Sequence, residues 1–134
     1  MGCFRPEGSG HRPRTLARLL YDGEGLYGRF LVEDRYVRSV QAGNGAPVYR
    51  DSCVELFVQP SPGRGYLNFE FNAGGFVLAS HVVDPTRTPD GFREYAALAD
   101  ADYARVRVHH SLPSVVDPEV GDPVTWTLAF FVPF

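Results

Sequence analysis

The sequence predicts an all-β protein, an antiparallel β-sandwich of the immunoglobulin-like or jelly-roll-like type. Three observations lead to this prediction. About seven short apolar stretches have the period of a strand, turns containing Gly and Pro separate them, and no stretch of about ten residues has the period of a helix. The chain has 134 residues, which is enough for one domain with its own hydrophobic core and too few for two.

The first fourteen residues are rich in Gly, Pro and Arg, and we expect them to form a flexible leader before a single domain over residues 15–134. The domain begins with two apolar arms around residues 22–25. Such a pattern is typical of a hairpin whose turn needs a glycine with positive φ. Alternate residues from 26 to 32 in the second arm are predicted to share one buried face.

Residues 35–51 break this periodicity, so they are predicted to form a long loop of the kind that often carries function. A strand over residues 52–60 follows. The next segment, residues 65–75, has the clearest period of two in the chain. Its apolar side chains alternate with hydrogen-bonding ones, in the order Leu67, Asn68, Phe69, Glu70, Phe71, Asn72.

The second half of the chain is predicted to contain three more strands, over residues 76–83, 103–112 and 124–134. Residues 84–102 contain too many turn formers for regular structure beyond one helical turn near residues 94–99. Residues 114–123 are predicted to be a Pro-rich loop. In the last strand, alternation places Trp126 on an apolar face, where a core position is expected.

The end of the last strand, residues 130–134, has apolar side chains on both faces. Such a strand is normally covered on both sides, and an uncovered one is an aggregation site. We therefore expect a covering partner, which would be either a further C-terminal segment or a second copy of the chain in a homodimer.

Composition excludes several classes of function. The chain has 13 basic and 16 acidic residues, so no basic surface that would bind nucleic acid is expected. It has neither an apolar stretch long enough to span a membrane nor a signal peptide, and as written it is expected in the cytoplasm. Cys3 and Cys53 are too few for a disulfide framework or a zinc site, and Cys53 is expected to be a small buried hydrophobic residue.

Two motifs suggest cofactors, and neither is supported by its context. Residues 23–28, GEGLYG, match the glycine pattern of dinucleotide-binding proteins. That motif requires a helix after the turn, whereas these residues continue as a strand. The histidines His81, His109 and His110 form only a weak metal site, because adjacent residues on a strand point to opposite faces. No metal and no cofactor is predicted.

Two carboxylates, Glu55 and Glu70, are predicted to lie on neighbouring strands. A glycosidase needs such a pair, with the pKa of one carboxyl raised. The same pair flanked by the amides of Asn68 and Asn72 equally suits a sugar-binding face, where carboxylate and amide groups match hydroxyl groups. Tyr49, at the end of the long loop, would supply an aromatic ring to stack on the sugar.

The segment VYRDSCVELFVQP followed by GYLNFEFNAGG resembles the central signature of the family 9 carbohydrate-binding modules, especially their stand-alone bacterial relatives. The resemblance extends over approximately residues 15–134. It implies a non-catalytic β-sandwich that binds mono- or oligosaccharides between two aromatic rings. The modules of this family take part in polysaccharide catabolism and are associated with glycoside hydrolases.

The resemblance also implies roles for individual residues. Tyr49 stands where the family has its first stacking aromatic, Glu55 at an acceptor for a sugar hydroxyl, and Asn72 at an amide contact. Glu70 stands where members of the family can carry an Arg. The strands that carry the family's second stacking ring would follow the last residue, so the sandwich is expected to be truncated and its binding weak.

Further candidates for the site are Arg50 and Asp51 at its rim, and Asn68 and Glu70 on the exposed side of the next strand.

Three alternatives remain open. A related sandwich of the DOMON type would hold haem or another small ligand, with His81 as the available axial ligand. A glycosidase would use Glu55 and Glu70, although nothing in the sequence gives a reason for one pKa to rise. The third alternative is an interaction domain whose sugar site has been lost.

Overall fold

The computed structural model describes residues 10–89 and 91–134. These residues form ten strands: β1 (Arg14–Tyr21), β2 (Gly25–Asp34), β3 (Val37–Ser39), β4 (Cys53–Val58), β5 (Tyr66–Asn72), β6 (Val77–Thr88), β7 (Gly91–Ala97), β8 (Arg107–His110), β9 (Val116–Val120) and β10 (Val124–Pro133). A short 3-10 helix, Val48–Arg50, precedes β4, and a one-turn α-helix, α1 (Asp100–Tyr103), precedes β8.

The strands form two four-stranded sheets and one small ribbon. The first sheet has the order β1-β2-β10-β8, and the second has the order β4-β5-β6-β7. All paired strands are antiparallel. The strands β3 and β9 pair with each other outside these two sheets. The predicted antiparallel β-sandwich is confirmed.

The hydrophobic core lies between the two sheets, because each sheet directs one set of alternate side chains inward. Phe130 from the first sheet stacks on Phe71 from the second, with ring centroids 4.9 Å apart. Trp126 is buried in the same core, as predicted. Its indole Nε1 donates to Asp34 Oδ2 at 3.3 Å, which satisfies the ring's one polar group.

The hairpin of β1 and β2 is confirmed, and its turn differs from the prediction. Neither Gly23 nor Gly25 has a positive φ. Instead the carboxylate of Asp22 accepts hydrogen bonds from the backbone N–H groups of Glu24 and Gly25, at 2.8 and 3.2 Å. An aspartate side chain can replace a backbone carbonyl in this way and close a turn without a left-handed residue.

The last strand, β10, does not lie at the edge of its sheet. β10 lies in the middle of the first sheet, between β2 and β8, so its backbone is paired on both sides. On its outer face, the ring of Phe131 lies 4.7 Å from the ring of Tyr27 and 4.4 Å from the guanidinium of Arg107. Pairing of β10 therefore needs no further segment or second copy, and both stay predictions.

Residues 84–102 are also more regular than predicted. They contain the end of β6 and all of β7, which form a long hairpin, and the helical turn lies at Asp100–Tyr103 instead of near residues 94–99. The turn formers fit because β6 extends past the end of β5 and pairs there with β7 alone, with two irregularities in register. Pro85 lies in this edge segment, where a missing N–H is tolerated.

The predicted loops at residues 35–51 and 114–123 likewise contain the short strands β3 and β9.

Part of the predicted leader contacts the sandwich. His11 Nε2 lies 2.6 Å from Asp34 Oδ1, and its ring meets the edge of Tyr36 at 5.5 Å. Residues 1–9, including Cys3, lie outside the described residues, so the flexible leader stays a prediction. Within the described part of the chain, no helix is long and apolar enough to cross a membrane.

Candidate functional site

The outer face of the second sheet forms the floor of a cleft of about 1200 Å³. Its floor residues alternate with core residues along the strands and therefore point away from the core. Register places Glu55, Glu70 and Leu78 side by side on β4, β5 and β6. The next row consists of Phe57, Asn68 and Ser80.

One wall of the cleft is the loop that ends in the 3-10 helix. Gly45 N–H donates to the carbonyl of Val77 at 2.7 Å, which fastens this loop to β6. Val48 is fully buried and anchors the helix, whereas the neighbouring Tyr49 is 54% exposed and lines the cleft. The guanidinium of Arg50 lies 5.9 Å from the centroid of the Tyr49 ring, and Arg50 is not among the residues that line the cleft.

The opposite wall is the hairpin of β6 and β7. The guanidinium of Arg87 lies 4.0 Å from the centroid of the Phe92 ring, and Tyr95 meets that ring edge-on at 6.0 Å. All three side chains line the cleft. Sequence reasoning missed them because residues 84–102 were predicted to be irregular. The Pro-Asp-Gly sequence at residues 89–91 is the turn signal that could have revealed the hairpin.

The polar groups of the floor are only partly satisfied. Asn68 is 5% exposed, and its Nδ2 donates to Glu70 Oε1 at 2.8 Å. The remaining oxygens of this pair, Asn68 Oδ1 and Glu70 Oε2, are shielded from solvent and have no hydrogen-bond partner. Buried polar atoms without partners are uncommon in folded proteins and often mark functional sites.

Burial raises the pKa of the Glu70 carboxyl, and the charge of Glu55 raises it further. The hydrogen bond from Asn68 and the charge of Arg87 act in the opposite direction. The expectation that no carboxyl here has a reason for a raised pKa is therefore wrong. This burial arises in the tertiary structure, and the sequence did not reveal it.

Two predicted site residues, Asn72 and Asp51, lie in a polar network outside the cleft lining. Asn72 is fully buried, and its Nδ2 donates to Asp51 Oδ2 and to the carbonyl of Gln41, each at 2.9 Å. The same Asp51 oxygen accepts from the N–H groups of Val40 and Gln41 at 3.0 and 2.8 Å. This network holds both ends of the loop that carries Tyr49. A sugar contact by Asn72 or Asp51 stays a prediction.

Two of the three histidines that were candidate ligands for metal or haem contact backbone carbonyl groups. His81 Nε2 lies 2.6 Å from the carbonyl oxygen of Arg64, and His110 Nδ1 lies 2.7 Å from that of Leu112. Among the residues that the structure describes, no three His, Cys, Asp or Glu side chains group as a metal site. Cys53 is partly buried, and this burial raises the pKa of its thiol, which makes it a poor nucleophile.

Comparison with known proteins identifies the family of this domain. The family model described as carbohydrate-binding family 9 matches residues 1–134. The crystal structure of a protein named a putative carbohydrate-binding protein, from Bacteroides uniformis ATCC 8492, superposes with a TM-score of 0.79 at 25% sequence identity. The match covers 92% of this chain and 53% of that one, so this chain spans about half the length of its structural relative. Among curated proteins, none matches the chain.

The match to the family covers every residue of the chain. Carbohydrate-binding family 9 is a family of non-catalytic binding modules, in line with the prediction of binding rather than catalysis. The chain belongs to carbohydrate-binding family 9.

Proposed function

We propose that the cleft on the second sheet binds a mono- or oligosaccharide without cleaving it. The observation that carries this proposal is the combination of aromatic rings in both walls with a floor of hydrogen-bonding groups, two of whose acceptors are buried and unpartnered. Sugars match such a site because each ring has an apolar C–H face and a rim of hydroxyl groups.

Each side chain has a distinct role in this proposal. The exposed ring of Tyr49 stacks on the C–H face of the sugar, and Glu55 accepts hydrogen bonds from its hydroxyl groups. The oxygens of Asn68 and Glu70 that have no partner in the protein accept the remaining hydroxyl donors. Tyr95, on the opposite wall, offers the second ring that was expected to be missing.

The other predicted residues act indirectly. Asp51 and Asn72 hold the loop that carries Tyr49, through the hydrogen bonds that join them to each other and to the loop backbone. Arg50 lies against the Tyr49 ring and restricts its orientation. Substitution of Arg50, Asp51 or Asn72 is therefore expected to change the affinity for the sugar through the position of Tyr49.

The test is isothermal titration calorimetry of the purified chain with sugars identified on a glycan array. Tyr49→Ala should abolish measurable binding, because it removes the stacking ring. Tyr21→Ala is the matched control, since Tyr21 is 81% exposed on β1 of the other sheet. Unchanged affinity in Tyr49→Ala, or equal losses in both variants, would contradict the proposed site.

A second candidate function is glycoside hydrolysis, and one observation favours it. Glu70 has a raised pKa and lies opposite Glu55, which is the division of roles between acid and ionised carboxylate that glycosidases use. The test is hydrolysis of nitrophenyl glycosides by the wild-type chain and by Glu70→Gln. Hydrolysis that disappears in Glu70→Gln would support an enzyme, and the absence of hydrolysis together with sugar binding would support a binding module.

A further inference from the structure

We propose that the cleft selects a saccharide that carries a protonated amino group, such as a glucosamine residue, over the corresponding neutral sugars. This inference rests on the proposed function, because it uses the same cleft and specifies the chemical class of its ligand. It is carried by the arrangement of acceptors and charges on the cleft floor.

The first observation is that acceptors converge on one small region of the floor. Glu55 and Glu70 are directly opposite each other on paired strands, and Asn68 is two residues from Glu70 on the same face. Directly opposite residues have Cβ atoms about 4.5–5.5 Å apart. Both carboxylates can therefore reach a single ligand group above the floor.

The second observation is that two of these acceptors receive no hydrogen bond from the protein. Asn68 Oδ1 and Glu70 Oε2 are shielded from solvent and unpartnered, while the Asn68 amide already donates to the other oxygen of Glu70. That hydrogen bond also fixes the orientation of the amide, so Asn68 presents its oxygen as an acceptor. These acceptors favour a ligand group that donates several hydrogen bonds.

The charges that line the cleft also favour a positively charged ligand group. Its acidic side chains are Glu55 and Glu70, and its basic side chain is Arg87, so the lining has a net charge of one negative unit when all are ionised. The guanidinium of Arg87 lies over the Phe92 ring in the wall. The charge of Glu55 acts against ionisation of Glu70, and Arg87 is the one cationic side chain among the described lining residues that favours it.

An ammonium group fits this region better than a hydroxyl group does. It donates three hydrogen bonds and accepts none, so it can serve Glu55, Glu70 Oε2 and Asn68 Oδ1 together. A hydroxyl group donates one and brings lone pairs toward the two carboxylates. The positive charge also offsets the repulsion between the carboxylates, which a neutral sugar cannot do.

Binding should depend on pH on both sides of neutrality. The groups that face Glu70 are Glu55 from β4, Asn68 from β5 and Arg87 from β6. Affinity should fall at acidic pH, because a protonated Glu70 carboxyl is neutral and no longer attracts the ammonium group of the sugar. It should fall again at alkaline pH, where the amino group of the sugar loses its charge.

The experiment compares D-glucosamine, D-glucose and N-acetyl-D-glucosamine by calorimetry with the full chain, at neutral pH and low ionic strength. We expect glucosamine to bind on the order of tenfold more tightly than either neutral sugar, since hydrogen bonds to charged groups contribute that much. Glu55→Gln and Glu70→Gln should each remove this preference. Glu119→Gln, on the exposed strand β9, is the matched control and should retain it.

The outcomes separate this inference from the proposed function. Glucose or N-acetylglucosamine binding as tightly as glucosamine would overturn the selectivity and leave saccharide binding in place. A preference for glucosamine that persists in both cleft variants would also overturn it, because the ammonium group would then be bound by other residues. The absence of binding by all three sugars and by the sugars of a glycan array would contradict the proposed function itself.

Thermal unfolding of each variant confirms that it is folded. Glu55 is exposed, so Glu55→Gln provides a test that does not disturb the core.

Discussion

The two faces of the strand pair β4 and β5 differ in the kind of group that they shield from solvent. On the inner face, Phe69 and Phe71 are buried among other apolar side chains of both sheets. On the outer face, Asn68 and Glu70 are also largely shielded from solvent, yet each keeps one oxygen without a partner. The inner face stabilises the fold by burying apolar surface, whereas the outer face retains a destabilising feature that a ligand can relieve.

The largest expected effect comes from the inner face. Phe71→Ala should lower the free energy of unfolding by about 3–5 kcal/mol, the usual cost of removing a buried phenyl ring. The reason is that Phe71 is fully buried and stacks on Phe130 across the two sheets. Urea unfolding followed by tryptophan fluorescence measures the change through Trp126, the chain's one Trp. A loss below about 1 kcal/mol would contradict the assignment of this face as the core.

A smaller loss of stability is expected at Asn72, which lies on the outer side of β5 and does not line the cleft. Asn72→Ala should lower the free energy of unfolding by about 2 kcal/mol, because the buried Asp51 oxygen loses one of its donors. Thermal unfolding and calorimetry with a bound sugar measure stability and affinity in parallel. Abolished sugar binding with unchanged stability would instead support the direct sugar contact that the family resemblance implies.

The outer face should respond to Glu70→Gln with a gain in stability. Because burial raises the pKa of Glu70 in the folded protein, the carboxyl stabilises the fold fully at pH below its ordinary value of 4.5 and less as pH rises through the folded pKa. Gln carries no charge, so the variant should be more stable than the wild type at pH 7.

Thermal unfolding at pH 4 and pH 7 tests this sign, since the advantage of Glu70→Gln should shrink toward pH 4. Glu55→Gln is the matched control, because it removes a carboxylate at an exposed position of the same floor. An advantage of Glu70→Gln that is larger at pH 4 than at pH 7 would mean that the Glu70 carboxyl is stabilised in its charged form.

The smallest effect on stability is expected for an aromatic residue of the outer face. Phe57 is 55% exposed in the cleft and contacts Tyr66 at 5.9 Å, so Phe57→Ala should change the free energy of unfolding by less than about 1 kcal/mol. Sugar affinity should fall by about two- to tenfold, the contribution of one aromatic contact. A stability loss comparable to that of Phe71→Ala would remove the distinction between the two faces.

Sequence reasoning succeeded where structure follows from local alternation. The period of two in β5 correctly separated Phe69 and Phe71 from Asn68 and Glu70, and the same rule placed Trp126 in the core. Tyr49, Glu55, Asn68 and Glu70 all line one cleft. Turn formers hid the wall that contains Arg87, Phe92 and Tyr95, because proline and glycine in an edge hairpin look the same in sequence as those in a loop.

Long-range pairing was beyond the same reasoning. A covering partner was expected for the last strand because local sequence does not show that β10 inserts between β2 and β8. β2 lies far earlier in the chain, and β9 separates β8 from β10. The difference between Glu70 and Asn72 has the same origin. Both residues lie on one side of β5, as alternation requires, and their roles diverge because different distant segments cover them.

Local chemistry therefore established the strands, the core face and the polar face of this domain. Side-chain alternation along an extended backbone is a property of neighbouring residues, and it holds wherever the strand is placed. Tertiary packing established which polar side chains line a cleft, which one has a raised pKa and which are tied into a loop network. Desolvation and hydrogen-bond partners come from segments far apart in the chain, so they exist only once the sheets and their walls have assembled.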